Sequence, residues 1–250
     1  MALALPARAK LNLELEVLGR NQDGFHDIRT TFQAIELQDT LELEPAARTS
    51  FASEGFELDP TDNSVLKAHR LLEESMGRVL PTRFQLRKRI PPGSGLGGAS
   101  SDAATALRGL TAMHSLDVDL AIIAREVGAD VPFFLHGGRV LAEGRGERLH
   151  PLPDEKAWFA IAWPGIELAT SAVYRAWDEV KGEGPNHLRR AAEHVEPRLG
   201  AFARTLGPLW QMTGSGSAFF LRVASEEEGR QSVERLDCWS AVTPAAGRWA

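Results

Sequence analysis

Hydrophobic and polar positions alternate from the first segment of the chain. Leu11, Leu13, Leu15 and Val17 take one face, and Asn12, Glu14 and Glu16 take the other. A period of two over this stretch predicts a half-buried strand ending at Gly19. Asn21-Gln22-Asp23-Gly24 then reads as a turn. Two further strands are expected over 28–37 and 40–43, and with no helix-length segment between these runs the sheet is expected to be antiparallel. The period then changes. Asn63 is placed to cap a helix reaching about Met76, with Gly77 as the left-handed residue after it. Residues 83–90 alternate again, Phe84 and Leu86 against Arg83, Gln85 and Arg87. Helices follow from Ala103 to about Met113 and over 119–127, the second stopped by Gly128. An apolar run over 131–135 leads through Gly137-Gly138 to a strand ending at Ala142. Beyond a polar, proline-bearing stretch at 151–156 come a strand over 158–163 and a helix capped by Thr170 and running through Val180. Helices over 187–195 and 197–206 precede a glycine turn at 213–217, a strand over 218–223 and a helix with Ser225 and Glu228 as its capping box. The class is α+β in two lobes, 1–153 and 154–250.

Composition narrows the class of protein. Hydrophobic residues are 43% and charged residues 25% of 250, which excludes a disordered, collagen-like or disulfide-stapled chain. The balance of 28 Lys+Arg against 34 Asp+Glu gives a net charge of −6, so no nucleic-acid partner is expected. No run approaches the ~18 apolar residues of a membrane helix, and the first ten residues lack a leader pattern. Cys238 is the only cysteine and cannot form an internal disulfide, which points to a reducing, cytoplasmic setting. One local feature runs against the acidic total: Arg83, Arg87, Lys88 and Arg89 stand together with no acid among them.

The chemistry is concentrated in a few places. Pro91-Pro92-Gly93-Ser94-Gly95-Leu96-Gly97-Gly98-Ala99-Ser100-Ser101 carries four glycines in six positions and opens into a helix. Glycine lets a ligand approach the main chain closely, and a helix N-terminus presents N–H groups and a positive dipole end to phosphate. Gly93, Gly95 and Gly98 also fit a dinucleotide fingerprint, but the preceding strand has one wet face, whereas a Rossmann strand is apolar on both. No Gly-Lys-Ser/Thr follows, so this is not a Walker A loop. Asp130 lies in Gly128-Ala129-Asp130-Val131-Pro132-Phe133, where a buried carboxylate needs a cation or a raised pKa. Lys10 shares a strand face with Asn12, and His26 follows the Asp23-Gly24-Phe25 turn. Each of these three has an ordinary reading too: a helix–strand corner, a solvated strand end, a loop histidine. The basic run reads either as a wet sheet face or as a field that steers anionic nucleotides.

Taken together these pieces resemble the GHMP kinase superfamily. Ala9-Lys10-Leu11-Asn12-Leu13, the stretch from Pro91 to Ala104, and Thr213-Gly214-Ser215-Gly216-Ser217 carry that resemblance. The Asp23-Gly24-Phe25-His26 turn and Gly128 to Phe134 narrow it to the members of the non-mevalonate isoprenoid pathway that act on a cytidine-diphosphate-bearing alcohol. The resemblance implies an N-terminal lobe like ribosomal protein S5, a ferredoxin-like C-terminal lobe and an active site where they meet. It implies an ATP-dependent kinase, active with Mg²⁺ as a monomer or weak homodimer, with residues 91–101 around the ATP phosphates. It implies Asp130 as base, Lys10 as its electrostatic partner, Phe25 and Tyr174 sandwiching cytosine, His26 at the cytosine edge, and Asn12 and Thr170 on the substrate's polar groups. The ligands of Mg²⁺ are not implied. Arg8 stands where the family usually has proline, Ala99 replaces a common glycine, and Asn186-His187-Leu188-Arg189 keeps only part of a family segment. Other small alcohols, of the mevalonate or homoserine kind, and a nucleotide-binding module without chemistry are the alternatives.

Overall fold

The computed structural model describes residues 2–56, 58 and 63–249. They form two compact units that are not consecutive stretches of chain. The first contains the described residues to Ala9, Leu37–Pro92 and Gly97–His136; the second contains Lys10–Glu36, Gly93–Leu96 and the described residues from Gly137. The expected boundary between 153 and 154 therefore falls inside the second unit. The reason is the length of the first two strands: β1 (Leu3–Arg20) and β2 (His26–Pro45) each give one end to each unit.

In the first unit, Thr40–Pro45 of β2 pairs antiparallel with β4 (Thr82–Lys88), and β3 (Ser50–Gly55) pairs parallel with β4. The helices are α1 (Ser64–Met76), α2 (Gly98–His114) and α3 (Leu120–Val127). Capping follows expectation in α1: Asn63 accepts from the N–H groups of Val65 and Leu66, and Gly77 closes the helix in the left-handed region. Asp119 caps α3. A 3-10 turn at Phe133–Leu135 buries Phe133 and Phe134. Three expectations change. The strands expected over 28–37 and 40–43 are one strand, because Asp39, which looks like a break, is fully buried and bonded. The helix expected from Ala103 begins at Gly98, because Ser101 and Asp102 turn inward. Strand β3 was not foreseen, since its residues are nearly all exposed and show no apolar alternation.

In the second unit, Ile28–Gln33 of β2 pairs with β5 (Arg139–Gly144), which pairs with β6 (Arg148–Leu152). A separate antiparallel sheet has β7 (Trp158–Trp163) between β10 (Trp239–Pro244) and β9 (Phe219–Val223), with the short β8 (Gln211–Met212) beyond β9. The helices are α4 (Thr170–Val180), α5 (Arg189–Val195), α6 (Arg198–Leu206) and α7 (Glu226–Val233). Leu15 and Val17, the apolar face of β1 read from the alternation, join Val173, Trp177, Leu188 and Phe219 in this unit's core. Ser225 caps α7 by accepting from Glu228 N–H, and the Glu228 carboxylate returns to Ala224 N–H. Among the described residues no helix is long and apolar enough to cross a membrane.

Candidate active site

Strand β1 buries both of its faces where it passes the glycine loop. Lys10 is 3% exposed, and Leu11 and Asn12 beside it are buried as well. A buried ammonium must be hydrogen-bonded to persist. Lys10 Nζ donates to Asn12 Oδ1 at 2.6 Å and to the Gly95 carbonyl at 2.7 Å, and it lies 5.5 Å from the centre of the Phe32 ring. The expected sharing of one strand face by Lys10 and Asn12 is what makes the first of these bonds possible. Asn12 is held in turn: its N–H donates to Thr213 Oγ1 at 2.8 Å and its Nδ2 to Thr30 Oγ1 at 2.7 Å.

The front half of the glycine loop is anchored in the same unit. Leu96 C=O accepts from Lys10 N–H, Ser94 C=O from Ala218 N–H, and Gly93 C=O from Leu168 N–H. Gly95 sits at φ +80°, and a Cβ there would lie 2.4 Å from the Thr213 carbonyl. Only glycine tolerates both conditions. The 213–217 turn is fixed by a residue that sequence reasoning passed over as a degraded family segment. Asn186 is buried, donates to the carbonyls of Met212 and Gly214 at 2.8 and 2.9 Å, and accepts from Leu188 N–H. Thr170 is the first residue of α4 and not its cap, which is Ala169; its hydroxyl meets Ser215 Oγ at 3.0 Å.

The back half of the loop belongs to the first unit and starts α2. Here sequence reasoning missed a buried cluster. Lys88 Nζ donates to Asp39 at 2.5 Å and to Asp102 at 2.8 Å, and all three side chains are at most 3% exposed. The alternation that points Phe84 and Leu86 inward also points Lys88 inward, so the missed signal was a lysine on an apolar face. Burial beside a second carboxylate lifts Asp102 to about 7, even though the Lys88 ammonium pulls it down. Two more members of the basic run are paired on the wet face: Arg83 with Glu44, and Arg87 with Glu42 and Glu54.

Asp130 lies in the turn between α3 and the 3-10 turn, also in the first unit. It is half-buried, not buried as the apolar neighbourhood suggested, because Val131, Phe133 and Phe134 take the interior positions. In the second unit, His26 packs against α4. Its ring stacks on Tyr174 with centroids 5.1 Å apart, meets Trp177 edge-on, and places Nε2 2.7 Å from Asp178 Oδ1. That hydrogen bond holds the Asp178 carboxyl below the usual range. Phe25 is exposed, with the Arg145 guanidinium 3.8 Å above its ring. The structure thus brings together Lys10, Asn12 and the 93–96 segment; Thr170 and the 213–217 turn; and His26 with Tyr174. Among the described residues no group of three or more His, Cys, Asp or Glu gathers to hold a metal.

Residues 63–138 match the N-terminal domain of GHMP kinases. A solved 4-(cytidine 5'-diphospho)-2C-methyl-D-erythritol kinase superposes with a TM-score of 0.83 at 35% identity, covering 98% of this chain and all of that one. Homoserine kinase from Cytophaga hutchinsonii shares the fold, with a TM-score of 0.68 at 16% identity over 99% of this chain and 95% of that one. Fold and glycine loop therefore define a GHMP kinase, an ATP-dependent small-molecule kinase. A 4-diphosphocytidyl-2-C-methyl-D-erythritol kinase from Chromohalobacter salexigens is 36% identical over 260 residues, spanning 94% of this chain and 87% of that protein. The chain belongs to the 4-diphosphocytidyl-2-C-methyl-D-erythritol kinase family.

Proposed function

We propose that this protein transfers the γ-phosphoryl group of ATP to the 2-hydroxyl of 4-diphosphocytidyl-2-C-methyl-D-erythritol, in the supply of isoprenoid precursors. The observation that carries the reading is the buried Lys10, whose ammonium is tied at once to Asn12 and to the carbonyl of Gly95 in the glycine loop. A cation placed this way serves a reaction that moves negative charge, because a fixed charge in a dry site needs no reorganisation when the charge shifts. In the step, a bond forms between the substrate oxygen and the γ-phosphorus, the bond from that phosphorus to the β–γ bridging oxygen breaks, and ADP leaves. Asp130 accepts the hydroxyl proton, and Lys10 steadies the charge on the oxygens. Residues 91–101 cradle the ATP phosphates, with α2 directing its N-terminal end toward them. Asn12 and Thr170 hold the substrate's polar groups. Phe25, His26 and Tyr174 form the cytosine site, where the ring-on-ring contact of His26 with Tyr174 supplies a pre-ordered aromatic wall.

Mg²⁺ enters as the companion of the nucleotide. The described residues offer it no acidic cage, and magnesium in phosphoryl-transfer sites is commonly held by substrate phosphates and one or two protein groups.

The test is to follow ADP release with the purified protein, Mg-ATP and the cytidyl substrate, with CDP as competitor. Turnover that CDP inhibits and that Asp130→Asn or Lys10→Met abolishes supports the reading. Turnover on mevalonate or homoserine with indifference to CDP replaces it with the broader kinase, and an Asp130→Asn variant as fast as the wild type overturns the assignment of the base.

A further inference from the structure

The ion cluster under the glycine loop has no part in the chemistry just described, yet its geometry is specific to that loop. Three separate elements meet at one ammonium. Asp39 comes from the middle of β2, Lys88 is the last residue of β4, and Asp102 lies in the first turns of α2. Asp39 does more than pair with Lys88: its Oδ1 accepts from the backbone N–H of Arg89 at 2.6 Å and of Ile90 at 2.8 Å. Those are the last two residues before Pro91, where the loop begins. At the loop's other end, a Cβ on Gly98 would stand 2.7 Å from Lys88 Nζ and 3.0 Å from Ile90 Cγ2. The first residue of α2 thus rests directly on the ammonium and on Ile90. Both ends of the 91–97 stretch are fastened at this one point.

We infer that Lys88, held between Asp39 and Asp102, is the positioning device that fixes the base of the phosphate loop and sets the affinity of the enzyme for ATP. The inference rests on the assignment of residues 91–101 to the ATP phosphates and adds the residues that act through them. Ion pairs of this kind are a poor source of stability, because desolvation cancels most of their attraction. What they offer is direction: charge-assisted bonds are short and roughly twice as strong as neutral ones. A loop that must hold several N–H groups on a phosphate needs its two ends at a fixed separation. Gly98, unable to carry a side chain over Lys88, keeps that separation small. The buried Asp102 Oδ1 has no hydrogen-bond partner among the described residues, so the cluster is not arranged for maximal satisfaction. That agrees with a network kept for its geometry.

The experiment compares the full-length wild type with Asp39→Asn and Asp102→Asn at one pH, measuring kcat, both KM values, ATP affinity by calorimetry and the melting temperature without ligand. Asp39→Asn retains an oxygen for the Arg89 and Ile90 N–H groups but not the charge that faces Lys88; Asp102→Asn changes only the α2 side. The expected result is a KM and Kd for ATP raised about five- to tenfold in Asp39→Asn and less in Asp102→Asn. Expected with it are a kcat and a KM for the alcohol substrate within twofold of wild type, and no loss of melting temperature in Asp102→Asn. If Asp39→Asn does not fold, Asp102→Asn decides alone. A uniform fall in kcat with KM for ATP unchanged would mean a purely structural cluster and would overturn the inference, as would variants indistinguishable from wild type. A wild type that turns over but gives no ATP effect from Gly95→Ala overturns the loop assignment, and this inference with it.

Discussion

The two halves of the glycine loop are held by different chemistry. Residues 93–96 are fastened mainly through the backbone: the carbonyls of Gly93, Ser94 and Leu96 each accept from a backbone N–H, and the Lys10 ammonium donates to the Gly95 carbonyl. Residues from Gly97 onward start from a buried ionic cluster, Asp39–Lys88–Asp102. Two buried lysines therefore serve one loop in opposite ways. Lys10 donates to an amide side-chain oxygen and to a loop carbonyl, in the segment we assign to the ATP phosphates. Lys88 is consumed by two carboxylates, so its charge is internal. A lysine's burial alone does not tell a catalytic role from a positioning one; the partners do.

Truncating each lysine in the same way breaks the comparison most sharply. Lys88→Met leaves two carboxylates buried without their cation and should cost about 3–5 kcal/mol of stability by denaturant titration. Lys10→Met takes a donor from the Asn12 amide oxygen and the Gly95 carbonyl and should cost less, about 1–3 kcal/mol, while removing turnover. Equal stability losses in the two variants would end the distinction. The next effect is on pH. Asp102 sits near 7 in the folded state against 3.8 for the free side chain, so the folded state holds an extra proton between those values. Wild-type stability should then fall as pH rises from about 4 to about 7 and level off above. Asp102→Asn lacks this slope and should gain on the wild type as pH rises. Parallel stability curves for the two proteins would refute the charged cluster as drawn.

Much of this contrast was readable in the chain, and the unread part has physical causes. The alternation of β1 placed Lys10 and Asn12 on one face, and four glycines in six residues marked the loop. The caps Asn63, Gly77 and Ser225 fell where local chemistry put them, because their partners lie within four residues, whereas the cap expected at Thr170 is Ala169. Asp39 was not readable, since a strand interior is a plausible place for a charge only once Lys88 and two backbone N–H groups are known to face it. Asn186 was undervalued for the same reason: its partners at 212 and 214 are more than twenty residues away. Strand β3 shows no period because almost nothing in it is buried. Where a residue's environment is local, the sequence states it; where the environment is assembled from distant strands, composition alone misleads.

Asn186 allows the neutral side of the comparison to be sharpened. It ties the carbonyls of Met212 and Gly214 to the N–H of Leu188, all buried, and so steadies the turn that packs on Gly95. Asn186→Ala leaves two carbonyls and one N–H unsatisfied, and should cost about 2 kcal/mol with little dependence on pH, since no charge is involved. Melting temperatures at pH 6 and pH 8 check this: a drop that changes between them would show that the neutral anchor is coupled to the ionic one.

The exposed part of the same β4 strand supplies the smallest effect and the control for the largest. Arg87 meets Glu42 at 3.2 Å and Glu54 at 2.9 Å, but its side chain is 54% exposed. Lys88, the next residue, makes bonds of similar length at 2% exposure. If bond length governed, the two substitutions would cost the same. Desolvation governs instead. Water screens the Arg87 pairs, and holding three long side chains in one arrangement offsets most of what attraction is left. Arg87→Ala should therefore change stability by less than about 1 kcal/mol, and less still in 1 M salt, where screening is nearly complete. Its KM for ATP should equal the wild type's, because the pairs lie on the wet face and hold neither end of the loop. An Arg87→Ala variant with weakened ATP binding would return the basic run to the role of steering nucleotides and take the special status away from Lys88.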